Sequence, residues 1–348
     1  MKSAFMSGPH AFELRELDLA EPAPNELLID VTSCGVCGSN LHEWPDPQGF
    51  FLRVPGAFGH EVAGVVAGRG AECGDWRVGD AVVVQPSHVT ACHKCDACRD
   101  GATWFCSDKP PIATYGFAEQ MLVPTEAAYR VPTSLSLDVA SLVEPVACGV
   151  HAVRHSWTAR DDGRVDGRKV VVIGAGMLGL GAIMASRWLG AAEIVAVARH
   201  DHQAKAASAC GADVVLSSAA DDLVKTLRGV RPQIVVEAVG GQAPTLNQAI
   251  DTVAWRGEVA VLGSFTCPQT IDAGRMVNRE TRLMFAIAYS RRDGIDDYDI
   301  AIEMLASGQF PLDSLVTHQF PLESIDEAFR VASDKHSGAI RVVVGPPS

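Results

Sequence analysis

The chain has 348 residues, of which 47% are hydrophobic and 20% are charged, and its formal net charge at pH 7 is −13. This length exceeds what one hydrophobic core usually holds, so two domains are expected. The acidic balance and the lack of a basic stripe argue against a nucleic-acid partner. No apolar run is long enough to span a membrane and no secretory signal opens the chain, so we expect a cytoplasmic protein with no membrane partner.

The first part of the chain, residues 1–152, is rich in short apolar runs separated by glycine and proline. The runs at 26–31, 61–66 and 81–84 have the composition of strands joined by frequent turns. This pattern predicts a compact β-rich domain.

A closed set of four cysteines lies in this domain: Cys92, Cys95, Cys98 and Cys106. Their clustered spacing favours metal ligation over disulfides in a reducing cytosol, and a four-thiolate cage is typical of structural zinc. A zinc knuckle for RNA is the competing interpretation, which the lack of interleaved aromatic and basic residues disfavours.

A second pattern combines Cys34-Gly-Val-Cys37 with Gly59-His60-Glu61. A thiolate, an imidazole and carboxylates can hold a metal and leave one position open, as catalytic zinc sites do. A chain with both kinds of site is predicted to be an enzyme with one zinc ion at each.

Residues 153–290 alternate apolar strands with helical segments, which is the pattern of a parallel, doubly wound sheet. The last part, 291–348, has a predicted helix at 298–307 and a predicted strand at 339–344, and we expect it to return to the first domain. The strands predicted in the middle part are 169–173, 194–198, 213–216, 234–237, 259–262 and 283–286.

A glycine-rich turn lies between the strand 169–173 and the helix predicted at 178–189, and in that setting it is a dinucleotide-binding signature. Gly174 would allow the tight turn, Gly176 the approach of a pyrophosphate, and Gly179 the contact of helix and strand, while the helix N-terminus attracts the phosphates. A purely structural turn is the alternative. The residues assigned to the cofactor here are Gly174, Gly176, Met177, Leu178 and Gly179.

The residues after the second strand of this domain indicate which nicotinamide cofactor binds. An NAD site has an acid there for the ribose 2′-OH. This chain instead has Ala198, followed by Arg199 and His200. Because arginine pairs well with a 2′-phosphate, NADP is predicted rather than NAD. Asp201 lies beyond the expected place and is explained as a helix cap.

Together, the two zinc patterns, the glycine turn, Glu144-Pro145 followed by His151, and the Ser337-Gly-Ala-Ile-Arg341 ending resemble the zinc-dependent medium-chain dehydrogenases, in the branch of sorbitol, threonine and butanediol dehydrogenases. The resemblance covers essentially the whole chain. It implies an α/β protein with a GroES-like β-rich catalytic domain and a Rossmann domain. It also implies reversible oxidation of an alcohol, with zinc as Lewis acid and nicotinamide as hydride acceptor.

The resemblance assigns Cys37 and His60 to the catalytic zinc, together with Glu61, which would bind it directly or from a second layer. Glu144 corresponds to the third protein ligand of the polyol branch and would bind directly or through water, with a salt-bridge role as the alternative. Cys34 is then structural.

Ser39 is similar to the hydroxyl that bonds the substrate alcohol, and His42 to the histidine that ends the proton relay. Asn40 departs from the family, which has an aspartate there to support the zinc-bound histidine, and an amide in its place would polarise the imidazole less. Trp44 and Phe117 correspond to residues of the substrate pocket, although both could be core aromatics.

Arg341 is assigned to the cofactor site by the same resemblance. Family members form dimers or tetramers through an edge strand, for which the apolar stretch 283–289 is suited, so a homodimer or homotetramer is expected; an internally covered strand is the alternative.

The predicted substrate is a secondary alcohol or polyol, or the matching carbonyl compound. An NADP-dependent carbonyl reductase is one other function that stays open. A zinc-stabilised NADP-binding protein without turnover is another, against which the intact set of Cys37, His60, Ser39 and His42 argues.

Overall fold

The structure, a computed structural model, describes residues 1–45, 59–109 and 116–346. The chain divides into two compact units. The first comprises Met1–Glu144, Ser290–Gly294 and Leu312–Ser348, and the second comprises Pro145–Tyr289 and Ile295–Pro311.

The first unit is rich in β-structure, as the sequence predicts. Among its described residues up to 140, the strands are β1 (Lys2–Gly8), β2 (Ala11–Glu16), β3 (Glu26–Gly35), β4 (Glu61–Arg69), β5 (Ala81–Val84), β6 (Gln120–Pro124) and β7 (Ala128–Arg130). Four short helices lie between and after them: α1 (Gly38–Glu43), α2 (Pro86–Val89), α3 (Asp96–Arg99) and α4 (Leu137–Ala140). The strands β3, β4 and β5 confirm the three predicted for this part.

The helix α5 (Val143–Arg154) leads into the second unit, which alternates strands and helices. Its strands are β8 (Lys169–Ile173), β9 (Glu193–Ala198), β10 (Val214–Ser217), β11 (Ile234–Glu237), β12 (Glu258–Val261) and β13 (Arg282–Phe285). Its helices are α6 (Met177–Trp188), α7 (Asp201–Ala209), α8 (Leu223–Val230), α9 (Thr245–Thr252) and α10 (Ala273–Arg279). The strands form one parallel sheet in the order β10-β9-β8-β11-β12-β13, the doubly wound arrangement that the sequence predicts.

The remaining elements are β14 (Arg291–Arg292), β15 (Ile295–Asp296), α11 (Asp297–Ala306), β16 (Val316–Phe320), α12 (Ile325–Ser333) and β17 (Arg341–Val344). Strand β17 pairs antiparallel with β3 and parallel with β16. The last part of the chain therefore adds two strands to the large sheet of the first unit, whose order is β16-β17-β3-β4-β5-β7 with β6 beside β3. None of the described helices is long and apolar enough to cross a bilayer.

The burial of the strands follows from the kind of sheet they form. In β3 the side chains of Leu27, Ile29 and Val31 are buried at every second position, which places one face on a core. In β8 the four residues of the range 170–173 are all buried, as expected of a parallel strand covered on both faces by helices.

The limits of the two units differ from the predicted limits of 1–152, 153–290 and 291–348. Residues 145–152 fall in the second unit because α5 runs without a break through them. Residues 295–311 also fall there rather than in the first unit, because α11 packs within the second unit.

A buried network attaches α11 to α5. The carboxylate of Asp297 is fully buried, and its oxygens lie 2.9 Å from His151 Nδ1, 3.0 Å from Arg154 Nη1 and 3.3 Å from His155 Nε2. Burial alone would raise the pKa of Asp297, but the hydrogen bonds from both histidines outweigh it and hold that pKa well below its ordinary value. Because the folded protein favours the charged form, the carboxylate stabilises the fold above the pKa of the unfolded chain, about 4.

We expect Asp297→Asn to lower the free energy of unfolding at pH 7 by about 3–5 kcal/mol, since it leaves the buried guanidinium of Arg154 without its counter-charge. Urea unfolding measures this loss. The difference from the unmodified protein should shrink as the pH falls below about 4, where the wild-type carboxylate begins to lose its advantage. Asp299→Asn, at an exposed position of the same helix, is the control and should change little. Equal effects of the two substitutions would contradict the network's role.

Candidate metal centre and nucleotide site

Cys37 lies where β3 has ended and α1 begins. Its backbone N–H donates to the side-chain oxygen of Asn40 at 3.0 Å. Its thiol accepts hydrogen bonds from the hydroxyl and the backbone N–H of Ser39. Burial and the nearby carboxylate of Glu144 raise the pKa of the Cys37 thiol, and the hydrogen bonds from Ser39 act against them. The amide of Asn40 thus supports the backbone of the thiol ligand, a role that the sequence did not indicate.

The predicted ligands Cys37, His60 and Glu61 converge, with one ligand atom of each within 4.8 Å of the others. His60 directly precedes β4, and Glu61 is its first residue. Glu61 Oε1 is buried and has no hydrogen-bond donor among the described residues. A buried acceptor without a partner is costly. A thiol, an imidazole and a carboxylate with a spare oxygen therefore fit a zinc ion.

The other oxygen of Glu61 forms an ion pair with Arg341 of β17. The two side chains are 1% and 3% exposed. Arg341 also donates from Nη1 to the carbonyl of Val36 at 3.2 Å. A Cβ atom on Gly35 would overlap the guanidinium of Arg341 and the carboxylate of Glu61, so the first glycine of the cysteine motif leaves room for this pair. The contact of Arg341 with the cofactor stays a prediction.

The charges around His60 act in opposite directions. Burial lowers the pKa of the His60 imidazole, the carboxylate of Glu144 raises it, and the guanidinium of Arg341 lowers it again. The net effect is a lowered pKa, which favours the neutral imidazole that binds metals. Glu144 is itself buried, so its charge acts on both the thiol and the imidazole through protein rather than water.

The predicted relay and pocket residues lie in different surroundings. His42 is exposed on α1, three residues after Ser39, so the two share one face of the helix. Trp44 and Phe117 pack on Phe329 in the core of the first unit, each with ring centroids 5.6 Å from it. They are 6% and 1% exposed, so both belong to this core, and the indole N–H of Trp44 is buried without a hydrogen-bond partner among the described residues. The contact of either residue with substrate stays a prediction.

The four cysteines of the other pattern also come together, with their sulfurs within 4.8 Å of one another: Cys92, Cys95, Cys98 and Cys106. Backbone N–H groups point at these sulfurs, from Lys94 and Cys95 to the sulfur of Cys92 and from Cys92 to that of Cys106. Such bonds from backbone groups lower the pKa of Cys95 to about 6. Burial and hydrogen bonds with the neighbouring cysteine side chains instead raise the pKa of Cys98 to about 12. Four clustered sulfurs, with backbone N–H groups directed at several of them, fit a closed zinc site.

The glycine turn joins β8 to α6 in the second unit. Gly174 has a φ of 104°, which only glycine adopts readily. A Cβ atom on Gly179 would overlap the carbonyl of Gly174, whereas a Cβ atom on Gly176 would meet no atom within 4 Å. The helix therefore packs tightly on the turn, while the backbone at Gly176, Met177 and Leu178 stays open at the helix N-terminus, as a pyrophosphate requires.

Ala198 is the last residue of β9 and is buried, so no carboxylate stands at the end of this strand. Arg199 is exposed, and it has no ion-pair partner in the part of the chain that the structure describes. His200 precedes α7 as its N-cap and stacks on His202 with ring centroids 5.5 Å apart.

Glu237 lies at the carboxyl edge of the parallel sheet, and the sequence analysis did not single it out. It ends β11, and its Oε1 accepts hydrogen bonds from the backbone of Val239 and Gly240 and from the hydroxyl of Thr245. Its Oε2 is buried without a donor among the described residues. The strands β8 and β11 flank the point where the strand order reverses, which is where ligands bind in such sheets. An acid at the end of a buried strand, followed by Gly240-Gly241, was the available signal.

The comparisons with known proteins agree with this geometry. Residues 23–133 match the alcohol dehydrogenase GroES-like domain, and residues 178–307 match the zinc-binding dehydrogenase domain. The chain is 30% identical over 337 residues to the L-threonine 3-dehydrogenase of Pyrococcus horikoshii, with 94% of each protein covered. It is 27% identical over 356 residues to the sorbitol dehydrogenase of Bacillus subtilis, covering 99% of this chain and 97% of that protein.

Among solved structures, the 2R,3R-butanediol dehydrogenase from Bacillus subtilis superimposes with a TM-score of 0.85 and 26% identity, over 99% of both chains. The chain belongs to the zinc-dependent medium-chain dehydrogenases. This confirms the predicted family, the predicted fold class and the predicted class of enzyme.

We expect Gly35→Ala to destabilise the protein by on the order of 3 kcal/mol, because the added methyl group must displace the buried pair of Glu61 and Arg341. Urea unfolding of the purified protein measures the loss. Gly38→Ala is the matched control in the same motif, since a methyl group there meets no atom within 4 Å and begins a helix. A Gly35→Ala variant as stable as the Gly38→Ala variant would contradict the predicted overlap.

Proposed function

We propose that this chain catalyses reversible hydride transfer between a secondary alcohol or polyol and NADP, giving the ketone or aldehyde. The observation that carries the proposal is the convergence of Cys37, His60 and Glu61, with a buried carboxylate oxygen that lacks a donor. The relatives named for sorbitol and threonine support a hydroxyl-bearing substrate of this class.

Two zinc ions are part of the proposal, one at each cysteine site. When bound, the first would supply a Lewis acid that lowers the pKa of an alcohol hydroxyl, and the nicotinamide would supply the hydride acceptor. Cys37, His60 and Glu61 would hold that ion, and Glu144 would join them directly or through water. The four-cysteine cluster would hold the second ion as part of the fold.

Ser39 and His42 would carry the proton that the alcohol releases. The hydroxyl of Ser39 bonds the thiol of Cys37, so it stands beside the ligand set and can exchange that bond for one to the substrate. Partial burial, with a smaller contribution from Lys335, lowers the pKa of His42. This lowered pKa favours the neutral imidazole, which can accept the proton and pass it to water.

The second unit would bind the cofactor through the open backbone at Gly176 and the N-terminus of α6. Arg199 would pair with the 2′-phosphate, and Ala198 would leave space for it.

Assembly into a homodimer or homotetramer is a further part of the proposal. Strand β13 is an edge strand of the parallel sheet, and Phe285 at its end is 63% exposed. An exposed apolar edge strand favours pairing with a second copy of the chain.

The proposed chemistry predicts opposite effects for two cysteines. Cys37→Ser should abolish the oxidation of alcohols, followed by nicotinamide absorbance across a panel of alcohols and carbonyls with both cofactors, while leaving the thermal midpoint nearly unchanged. Cys95→Ser should lower that midpoint and reduce the zinc content from about two ions per chain to about one, because structural zinc contributes directly to folding.

Cys267→Ser removes an exposed free thiol outside both sites and should leave activity, stability and zinc content unchanged. Zinc content that does not fall in Cys95→Ser would mean that the four-cysteine cluster is not a zinc site. Full turnover by Cys37→Ser would rule out the proposed metal centre.

Cofactor choice is tested at Arg199. One charge-assisted contact contributes about 1.5–3 kcal/mol, which corresponds to a roughly ten- to hundredfold preference for NADP in kcat/KM. Arg199→Ala should remove most of that preference, and adding Ala198→Asp should move it to NAD. Lys205→Ala removes an exposed cation one turn into α7 and should leave the ratio unchanged. An unmodified protein that already prefers NAD would contradict the assignment.

A further inference from the structure

A large cavity lies in the second unit on the edge of the sheet where the parallel strands begin. Its volume is about 990 Å³, and its lining includes Arg168 and Gln233, which directly precede β8 and β11. Dinucleotides bind such sheets at the opposite edge, outside the carboxyl ends of the strands. The size is within the range of small-molecule pockets. The cavity is therefore separate from the predicted cofactor site.

The cavity is strongly basic in a chain whose net charge is −13. Among the described residues, no acidic side chain lines it. Two of its arginines have carboxylate partners nearby, Arg228 with Asp251 and Arg256 with Glu280, each at 3.3 Å. The five arginines of the lining are Arg168, Arg228, Arg231, Arg256 and Arg279.

Unlike Arg228 and Arg256, Arg231 has no carboxylate partner among the described residues. In the described part of the chain its guanidinium makes no hydrogen bond and no ion pair, and the residue has a positive φ of 56° at the end of α8. Positive φ is uncommon for residues other than glycine, asparagine and aspartate. An exposed arginine held in this conformation, at the mouth of a cavity without acids, leaves its five donors available to an anion.

Of the two tryptophans in the lining, Trp255 supplies an exposed flat surface, whereas the guanidinium of Arg282 lies over the ring of Trp157, 4.0 Å from its centroid. Trp255 lines the cavity although it is 72% exposed. The indole N–H of Trp157 and the hydroxyl of Thr252, both in the lining, are buried without a hydrogen-bond partner among the described residues. Both atoms are closed off from the cavity, so the aromatic surface that a ligand can reach is the exposed indole of Trp255.

We propose that this cavity binds a nucleoside phosphate, with the phosphates on Arg231 and its neighbouring arginines and the base stacked on Trp255. Guanidinium groups match phosphate oxygens in pairs, and aromatic faces stack on any nucleobase. A ligand with both parts uses the charge and the exposed indole together, which inorganic phosphate or an uncharged ring cannot do.

Isothermal titration with ADP tests the proposal. ADP can also enter the dinucleotide site, so two binding events per chain are expected. Arg231→Ala and Trp255→Ala should each weaken one of them by about tenfold or more and leave the KM of the nicotinamide cofactor unchanged. Arg199→Ala should not change the ADP-binding event that Arg231→Ala and Trp255→Ala weaken. Pyrophosphate should bind the cavity more weakly than ADP, and adenosine should not bind it detectably.

Arg330→Ala removes an arginine of similar exposure from α12 in the first unit and is the matched control. Arg231 and Trp255 are exposed, so their variants should keep the thermal midpoint of the unmodified protein. The proposal is overturned if ADP binds at one site only, or if neither variant weakens either event. It is also overturned if light scattering shows that Arg231→Ala dissociates an oligomer while ADP binding is unaffected, since the cavity would then be an interface between copies.

Discussion

The buried ion pair of Glu61 and Arg341 is the interaction on which the geometry of the candidate metal centre depends. Removing two charges from water costs several kcal/mol per ion, and only close attraction with further hydrogen bonds offsets that cost. Here the same guanidinium also binds the carbonyl of Val36, so β17 is held against the end of β3. Val36 directly precedes Cys37, and Glu61 directly follows His60, so this pair and its hydrogen bond hold the two chain segments that carry the predicted ligands.

The groups that shift the pKa values of the thiols differ between the two cysteine sites. In the four-cysteine cluster, local backbone N–H groups lower the pKa values of Cys92 and Cys95, while burial and the neighbouring thiols raise that of Cys98. At Cys37 burial raises the pKa of the thiol, and the groups that lower it are Ser39 and the distant Arg341. A metal ion at this second site would replace the proton of the thiol, and Arg341 of the last strand adds a smaller contribution in the same direction as Ser39.

The features that could be predicted from the sequence are those set by short stretches of the chain. The six strands of the parallel sheet were predicted within one residue, because continuous apolar runs and a glycine turn are short-range signals. Cys37 and His60 were assigned to a metal site from their motifs and the family resemblance, and the structure brings their side chains together. The pairing of Glu61 with Arg341, the attachment of α5 to Asp297 and the hydrogen bonds of Glu237 were not predicted. The first two contacts join residues that are far apart in the sequence and meet only in the folded chain. The third is made largely by backbone N–H groups, whose positions cannot be deduced from residue types.

The electrostatic potential that the helix ends provide for an anion is opposite in sign at the two edges of the parallel sheet. At the carboxyl edge, the N-terminus of α6 offers free N–H groups and positive potential, so glycines suffice to admit a phosphate. At the amino edge, helices such as α8 and α9 end, and their last carbonyls are negative. Arg279 is accounted for there, because it donates to the carbonyls of residues 250, 251 and 253 at the end of α9. In the described structure the guanidinium of Arg231 donates to no such carbonyl. Its charge therefore has no role in the fold that we can identify, and binding an anion in the cavity would give it one.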